Sequence, residues 1–254
     1  MNFKYVWLGI GVIYAMIIAL ATMTFAKQPP ETHYQVGSWE EYIHGEWEDV
    51  ELHDGKGILM IDAPYRAMDG SDVPVMIGTD KPGFVKLTLI IDENPTPCCA
   101  TFEFDSIPAM VETNIRINAY TNIRLIGEDI NGDYYMVTKY IKSAGGCSAP
   151  VINKSDRIKG SMDIMVYENK TEVDVYHPNY SGMQFDTLTG AEIPAEYIER
   201  LTVLVDGKDV FKYQGTIGIA QDVYFKLPVV PETYIEVYAE DNLGNQFEFH
   251  NNGY

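Results

Sequence analysis

Hydrophobicity with a period of two runs through most of this chain and leaves little room for anything but β-structure. In GFVKLTLIIDEN, Val85, Leu87, Leu89 and Ile91 alternate with Lys86, Thr88 and Ile90; in VETNIRINA, Val111, Thr113, Ile115 and Ile117 alternate with Glu112, Asn114, Arg116 and Asn118. Successive side chains of a strand point to opposite faces, so each run predicts a half-buried strand. Asn131-Gly132, between TNIRLIGEDI and DYYMVTKYIK, supplies the positive φ angles of a tight hairpin turn. A meander of about seven strands follows, from Gly57 to near Ile141. The second half repeats the pattern in SMDIMVYE, EVDVYH, RLTVLVDG, DVFKYQG, DVYFKL, TYIEVYAED and NQFEFHN, with Asp206-Gly207 and Asn242 to Gly244 as turns. So many short strands in each half favour two sandwiches in tandem.

The N-terminus breaks this pattern. Residues 1–26 carry a single cation, Lys4, then an apolar run ending at Thr24-Phe25-Ala26, whose small residues suit a signal-peptidase site. An export signal and a periplasmic location are expected. The run from Tyr5 to Ala26 is also long enough to span a bilayer, so an uncleaved membrane anchor is the alternative. Residues 27–56 read as a polar linker and a short helix, in which Trp39, Tyr42, Ile43 and Trp47 recur at helical spacing behind Ser38 as N-cap. The first sandwich is expected over 57–150, a linker without periodicity over 151–158, and the second sandwich over 159–254.

Charge excludes some partners. With 37 acidic against 18 basic residues the formal net charge is −19. Neutralising phosphates needs surplus Lys and Arg, so nucleic acid and anionic membrane surfaces are excluded as principal partners. His33, His44, His53 and His250 show no metal-ligand spacing to one another or to the cysteines, and Asp62, Asp69 and Asp72 lack the spacing of a calcium loop; no structural metal is expected.

Three cysteines in an exported chain leave at least one thiol over. Cys98 and Cys99 are adjacent, which strains a disulfide between them. If CCATFEF is a strand, Cys98 shares the core face with Ala100, Phe102 and Phe104, and Cys99 faces the polar side with Thr101 and Glu103. Cys147 sits differently, in KSAGGCSAP, where Gly145 and Gly146 supply no side chains to pack around it. Five residues separate it from Ile141, a tether of about 18 Å at full stretch. This thiol is expected to be presented to solvent rather than packed. Its bland alternatives are an idle loop thiol or a disulfide partner of Cys99. No histidine adjoins it, and the nearest cation in sequence, Lys142, is five positions away, so activation is expected from a visiting enzyme.

ILMIDAPYRAMDGSDVPVMI, ENPTPCCATFEF, VETNIRINAYTNIRLIGEDINGDYY and GGC together resemble SoxY, the sulfur-oxidation subunit that holds sulfur intermediates on a cysteine. YHPNYSGMQFDTLTGAEIPAEYIERLTVLVDGKDVF and EVYAEDNLGNQFEF resemble its partner SoxZ. The resemblance implies two immunoglobulin-like β-sandwiches fused in one exported chain, like fused SoxYZ-like carriers associated with quinoprotein dehydrogenases. It makes Cys147 the covalent attachment point, Gly145 and Gly146 a flexible arm, and the protein a carrier rather than an enzyme. The cargo would be a persulfide or thiosulfonate, with no other cofactor. Haem cytochromes, sulfur hydrolases and a quinoprotein dehydrogenase are the implied transient partners. Dedicated carriers of the family end in a GGCGG-like tail; here Ser148-Ala149-Pro150 and the whole second half follow.

Other functions remain open. One is a non-carrier accessory module for a periplasmic quinoprotein dehydrogenase or cytochrome; another is a thiol–disulfide exchanger using all three cysteines. A thiol hydrolase would pair Cys147 with His177, but Pro178 and the turn residues after it point to a strand-end histidine holding a loop.

Overall fold

The computed structural model describes residues 39, 47–151, 157–228 and 234–251, and is all-β apart from one short turn of 3-10 helix at Gly146–Ser148 and the helical residue Trp39. The expected signal segment, the remainder of the expected N-terminal helix before Trp47, and most of the linker lie outside the described residues.

The first half forms eight strands: β1 (Leu52–Asp54), β2 (Met60–Asp62), β3 (Val73–Gly78), β4 (Phe84–Ile91), β5 (Cys98–Phe104), β6 (Met110–Ile115), β7 (Thr121–Asp129) and β8 (Tyr134–Ile141). The second half forms β9 (Met162–Val166), β10 (Lys170–Val175), β11 (Ile198–Val205), β12 (Lys208–Gly215), β13 (Val223–Pro228), β14 (Ile235–Asp241) and β15 (Gln246–His250), one for each run of alternating residues in the sequence. Each half splits its strands between two facing layers, the arrangement of a sandwich.

The halves are joined edge to edge. A nine-stranded sheet runs β1-β8-β7-β4-β5-β12-β11-β14-β15 and a six-stranded sheet runs β2-β3-β6-β13-β10-β9, so both layers pass from one half into the other. In the larger sheet β5 pairs with β12 from Phe104↔Phe211 to Ala100↔Gly215. In the smaller, β6 meets β13 at Glu112↔Lys226, and Ile115 bridges Ile219. An open edge strand is a row of unsatisfied backbone groups, and each half uses the other to cover it.

The core is accordingly continuous. Phe102 of β5 lies 6.1 Å from Phe211, 5.9 Å from Tyr213 and 6.0 Å from Phe225, an aromatic cluster drawn from both halves. The Tyr213 hydroxyl, buried with it, donates to the Ile198 carbonyl at 3.1 Å.

Alternation predicts one dry face per strand, yet Ile90 and Ile126 on the opposite face are also buried, beneath Trp39, Leu52 and Met136. The Arg124 guanidinium carbon sits over the Trp39 ring, 3.9 Å from its centroid, and Arg124 is held by Asp92 at 2.7 and 2.8 Å in a fully buried bidentate pair. Trp39, Trp47 and Val50, ahead of β1, therefore cover part of the outer face of the large sheet.

The turns divide. Asp206 and Gly207 both take positive φ, 49° and 72°, as a two-residue hairpin loop requires. Between β7 and β8 Gly132 is left-handed at 82° but Asn131 is not; the Asp129 carboxylate instead accepts the backbone N–H groups of Asn131 and Asp133, making a wider loop.

Candidate functional site

Cys147 is not on display. The segment after β8 folds back into the joint between the two halves, and Cys147 is 0 % exposed. This overturns the expectation of a solvent-reachable arm, and the glycines show why. Gly145 adopts the left-handed conformation at φ 74°, turning the chain inward. A Cβ on Gly146 would run into the Gly70 carbonyl and come within 2.8 Å of the Ile117 carbonyl oxygen. Glycine here permits close approach as well as freedom. Backbone N–H groups of Gly145 and Gly146 donate to the carbonyls of Asn118 (2.8 Å) and Ile117 (3.0 Å). From the second half, the Ser181 hydroxyl donates to the carbonyl of Cys147 itself.

Burial sets the chemistry of the thiol. Removal from water pushes the Cys147 pKa up to about 11, only partly opposed by the Arg116 guanidinium. The docked sulfur is therefore a neutral thiol at pH 7 and a poor nucleophile.

Arg116 is the residue that sequence reasoning missed. It alternates as a polar strand position, but it lies just past β6 and is only 2 % exposed. Its Nη1 donates to the carbonyls of Ile219 (2.7 Å) and Ile217 (3.3 Å) in the second half, while its Nε has no hydrogen-bond partner among the described residues. Burial lowers its pKa to about 10, with the neighbouring Cys147, Cys99 and Asp72 favouring its charge. It remains cationic at neutral pH. A buried cation beside a cysteine 31 positions away in sequence leaves no local motif, since they meet only when the cysteine segment folds back onto Ile117 and Asn118.

A small cavity of about 80 Å³ adjoins this arginine, lined by Asp69, Ser71, Asp72 and Gln221 and by Ala149 and Pro150 of the cysteine segment. Two of the acids weighed for a calcium loop are engaged in turns and strand ends: Asp69 accepts from Ser71, and Asp72 from Asn114.

The roles of the vicinal cysteines are exchanged relative to the alternation. Between β4 and β5 the register slips, with Leu89 opposite Ala100 but Ile90 opposite Cys98, so Cys99 is the extra residue of a bulge. The bulge turns Cys99 into the core at 0 % exposure and leaves Cys98 half-buried. Burial raises the Cys99 pKa well above the ordinary thiol range, reinforced by the nearby Cys98 and Cys147 and opposed by Arg116. Cys99 and Cys147 are both free thiols, so neither the vicinal disulfide nor a Cys99–Cys147 bond forms.

His177 is fully buried and holds a loop, as the residues after it suggest: its Nδ1 lies 2.9 Å from Asn179 Oδ1, and Asn179 Nδ2 donates to the Ala220 carbonyl at 3.0 Å.

Two edge-joined immunoglobulin-like sandwiches, with a Gly-Gly-Cys segment closing the joint between them, define the class. Residues 47–147 match the family described as sulfur oxidation protein SoxY, a match that runs to Cys147, and residues 167–251 match sulphur oxidation protein SoxZ. The chain belongs to the fused SoxY/SoxZ family of sulfur-oxidation proteins. Among solved structures it is similar to the sulfur carrier protein SoxY from Chlorobium limicola f thiosulfatophilum, at 21 % identity and a TM-score of 0.37, covering 41 % of this chain and 94 % of that one. No curated protein sequence matches the chain.

Proposed function

We propose that this protein is a periplasmic carrier that holds sulfur intermediates covalently on Cys147 and hands them between enzymes, without turnover chemistry of its own. The observation that carries this reading is the SoxY match, which extends to Cys147, combined with the placement of that thiol on a segment outside the strands.

Burial requires two positions of the segment. In the docked position the sulfur is neutral and shielded; in a released position it reaches a partner's active site. Joining the thiol to the terminal sulfur of a thiosulfate-type anion forms one S–S bond and releases the thiol proton and two electrons, which a haem cytochrome would accept one at a time. Hydrolytic unloading would need a separate enzyme. Arg116 supplies positive charge beside the docked thiol for an anionic persulfide or thiosulfonate.

Intact mass of the protein from its native compartment tests this. Added mass in multiples of sulfur, absent from Cys147→Ser, is expected. Unmodified protein under sulfur-oxidising conditions, or an unchanged adduct in Cys147→Ser, overturns it.

The burial of Cys147 favours one second reading, an accessory module that docks on a periplasmic dehydrogenase or cytochrome. Under that reading Cys147→Ser would leave sulfur oxidation intact.

A further inference from the structure

The second half holds a cluster that the carrier reading does not use. His177, Glu196 and Asp241 each offer one ligand atom, and these atoms all lie within 4.8 Å of one another. His177 and Asp241 are buried, and Glu196 has a side chain 21 % exposed.

The imidazole is the telling member. Asn179 Oδ1 accepts the Ile198 N–H at 3.0 Å and Asn179 Nδ2 donates to a carbonyl, so the atom 2.9 Å from His177 Nδ1 is an oxygen. Nδ1 also accepts the Asn179 backbone N–H at 3.1 Å, so it meets a donor as well as an acceptor and either tautomer of the ring can be accommodated. Nε2, at the other side of this fully buried ring, has no hydrogen-bond partner among the described residues and faces Asp241 Oδ2 at 3.8 Å. A buried ring nitrogen without a hydrogen-bond partner is unfavourable, and a cation between it and the carboxylate oxygen would satisfy both.

One cation is at hand, but it is insufficient. Lys159 Nζ pairs with Glu196 and lies 3.9 Å from Asp241 Oδ2. One ammonium offsets one of the two carboxylates and leaves Nε2 without a partner among the described residues. Lys159 is 39 % exposed, so it can swing to solvent. Asp241 is preset: Oδ1 accepts the N–H groups of Leu243 (2.9 Å) and Asn245 (2.8 Å) and Oδ2 accepts one amide hydrogen at 2.7 Å, leaving capacity on Oδ2 toward the cluster.

We propose that His177, Glu196 and Asp241 form a binding site for one divalent first-row transition-metal ion, whose place the Lys159 ammonium takes in its absence. One imidazole and two carboxylates suit zinc and its neighbours, with water completing the shell. Bonds of about 2.1 Å would draw the ligand atoms to about 3–3.5 Å apart, so Glu196, the least buried of the three, closes by about 1 Å. With a metal on Nε2 the ring proton would sit on Nδ1, where Asn179 Oδ1 at 2.9 Å can accept it, the outer contact a metal-ligating histidine needs. This site departs from the expectation of no structural metal: the three ligands are 19 and 45 residues apart and show no spacing motif.

Calorimetric titration of the metal-free full chain with Zn2+ tests the proposal, with thermal melting as a second readout. One Zn2+ per chain and a raised melting temperature are expected, both unchanged in Cys147→Ser, so that the result is independent of the carrier reading. Glu196→Gln, which spares the buried loop, should bind at least about tenfold more weakly, and Lys159→Met at least about tenfold more tightly because the competing ammonium is gone. Absence of binding in both wild type and Lys159→Met, or equal binding by wild type and Glu196→Gln, overturns it.

Discussion

Alanine at Gly146 should release the cysteine segment from its dock while the sandwich stays folded. Its Cβ would meet the backbone of Gly70 and Ile117, neither of which can rotate away. Holding the segment are two backbone hydrogen bonds, from Gly145 and Gly146, and the Ser181 hydroxyl on Cys147. At ~1 kcal/mol each, these give docking a free energy of ~3 kcal/mol. An opening free energy of that size corresponds to roughly a hundredth of molecules released at any moment. Alkylation of Cys147 by iodoacetamide, followed by peptide mass mapping, reads that fraction directly. Wild type should react about 100-fold more slowly than an unhindered thiol of ordinary pKa, and Gly146→Ala should recover most of the difference while still unfolding cooperatively, at a melting temperature lowered by no more than the lost docking energy of ~3 kcal/mol accounts for. If wild-type Cys147 reacts as fast as an unhindered thiol, or if Gly146→Ala reacts no faster than wild type, the docked-and-released account is wrong.

Two more outcomes follow from the same geometry. Phe102→Ala removes the centre of the aromatic cluster shared by the halves and should cost about 3–5 kcal/mol; because both sheets cross the joint, calorimetry should show one unfolding transition moving as a whole, and two separately shifting transitions would contradict the shared core. The Cys147 pKa of about 11 against an ordinary value of 9.0 means that folding favours the neutral thiol. The stability this contributes is complete below pH 9 and is lost as the pH rises toward 11, by up to about 3 kcal/mol. Denaturant titrations at pH 8 to 11 should therefore show wild type losing more stability than Cys147→Ser, and parallel curves would refute the shift.

Much of the fold was legible because strand formation is local: a residue's face follows from its neighbours' parity, and all seven runs of the second half became strands. Local parity failed where a non-local contact intervened. At Cys99 a bulge against β4 reversed the faces of two cysteines, and at Ile90 and Ile126 a distant N-terminal segment dried the face that alternation leaves wet. The Gly-Gly-Cys segment was legible as special but misread as exposed, since glycine looks the same in sequence whether it serves freedom or close approach.

By itself the amino-acid order determined the β class, the two-part organisation, the SoxY and SoxZ character and the singular position of Cys147. All of these depend on residues near one another along the chain. Tertiary structure alone decided that the two parts share their sheets, that Arg116 and Ser181 meet Cys147 at the joint, and that His177, Glu196 and Asp241 converge. Those contacts arise when open strand edges find each other, and pairing between distant edges depends on the closed shape of the whole molecule rather than on any short stretch of it.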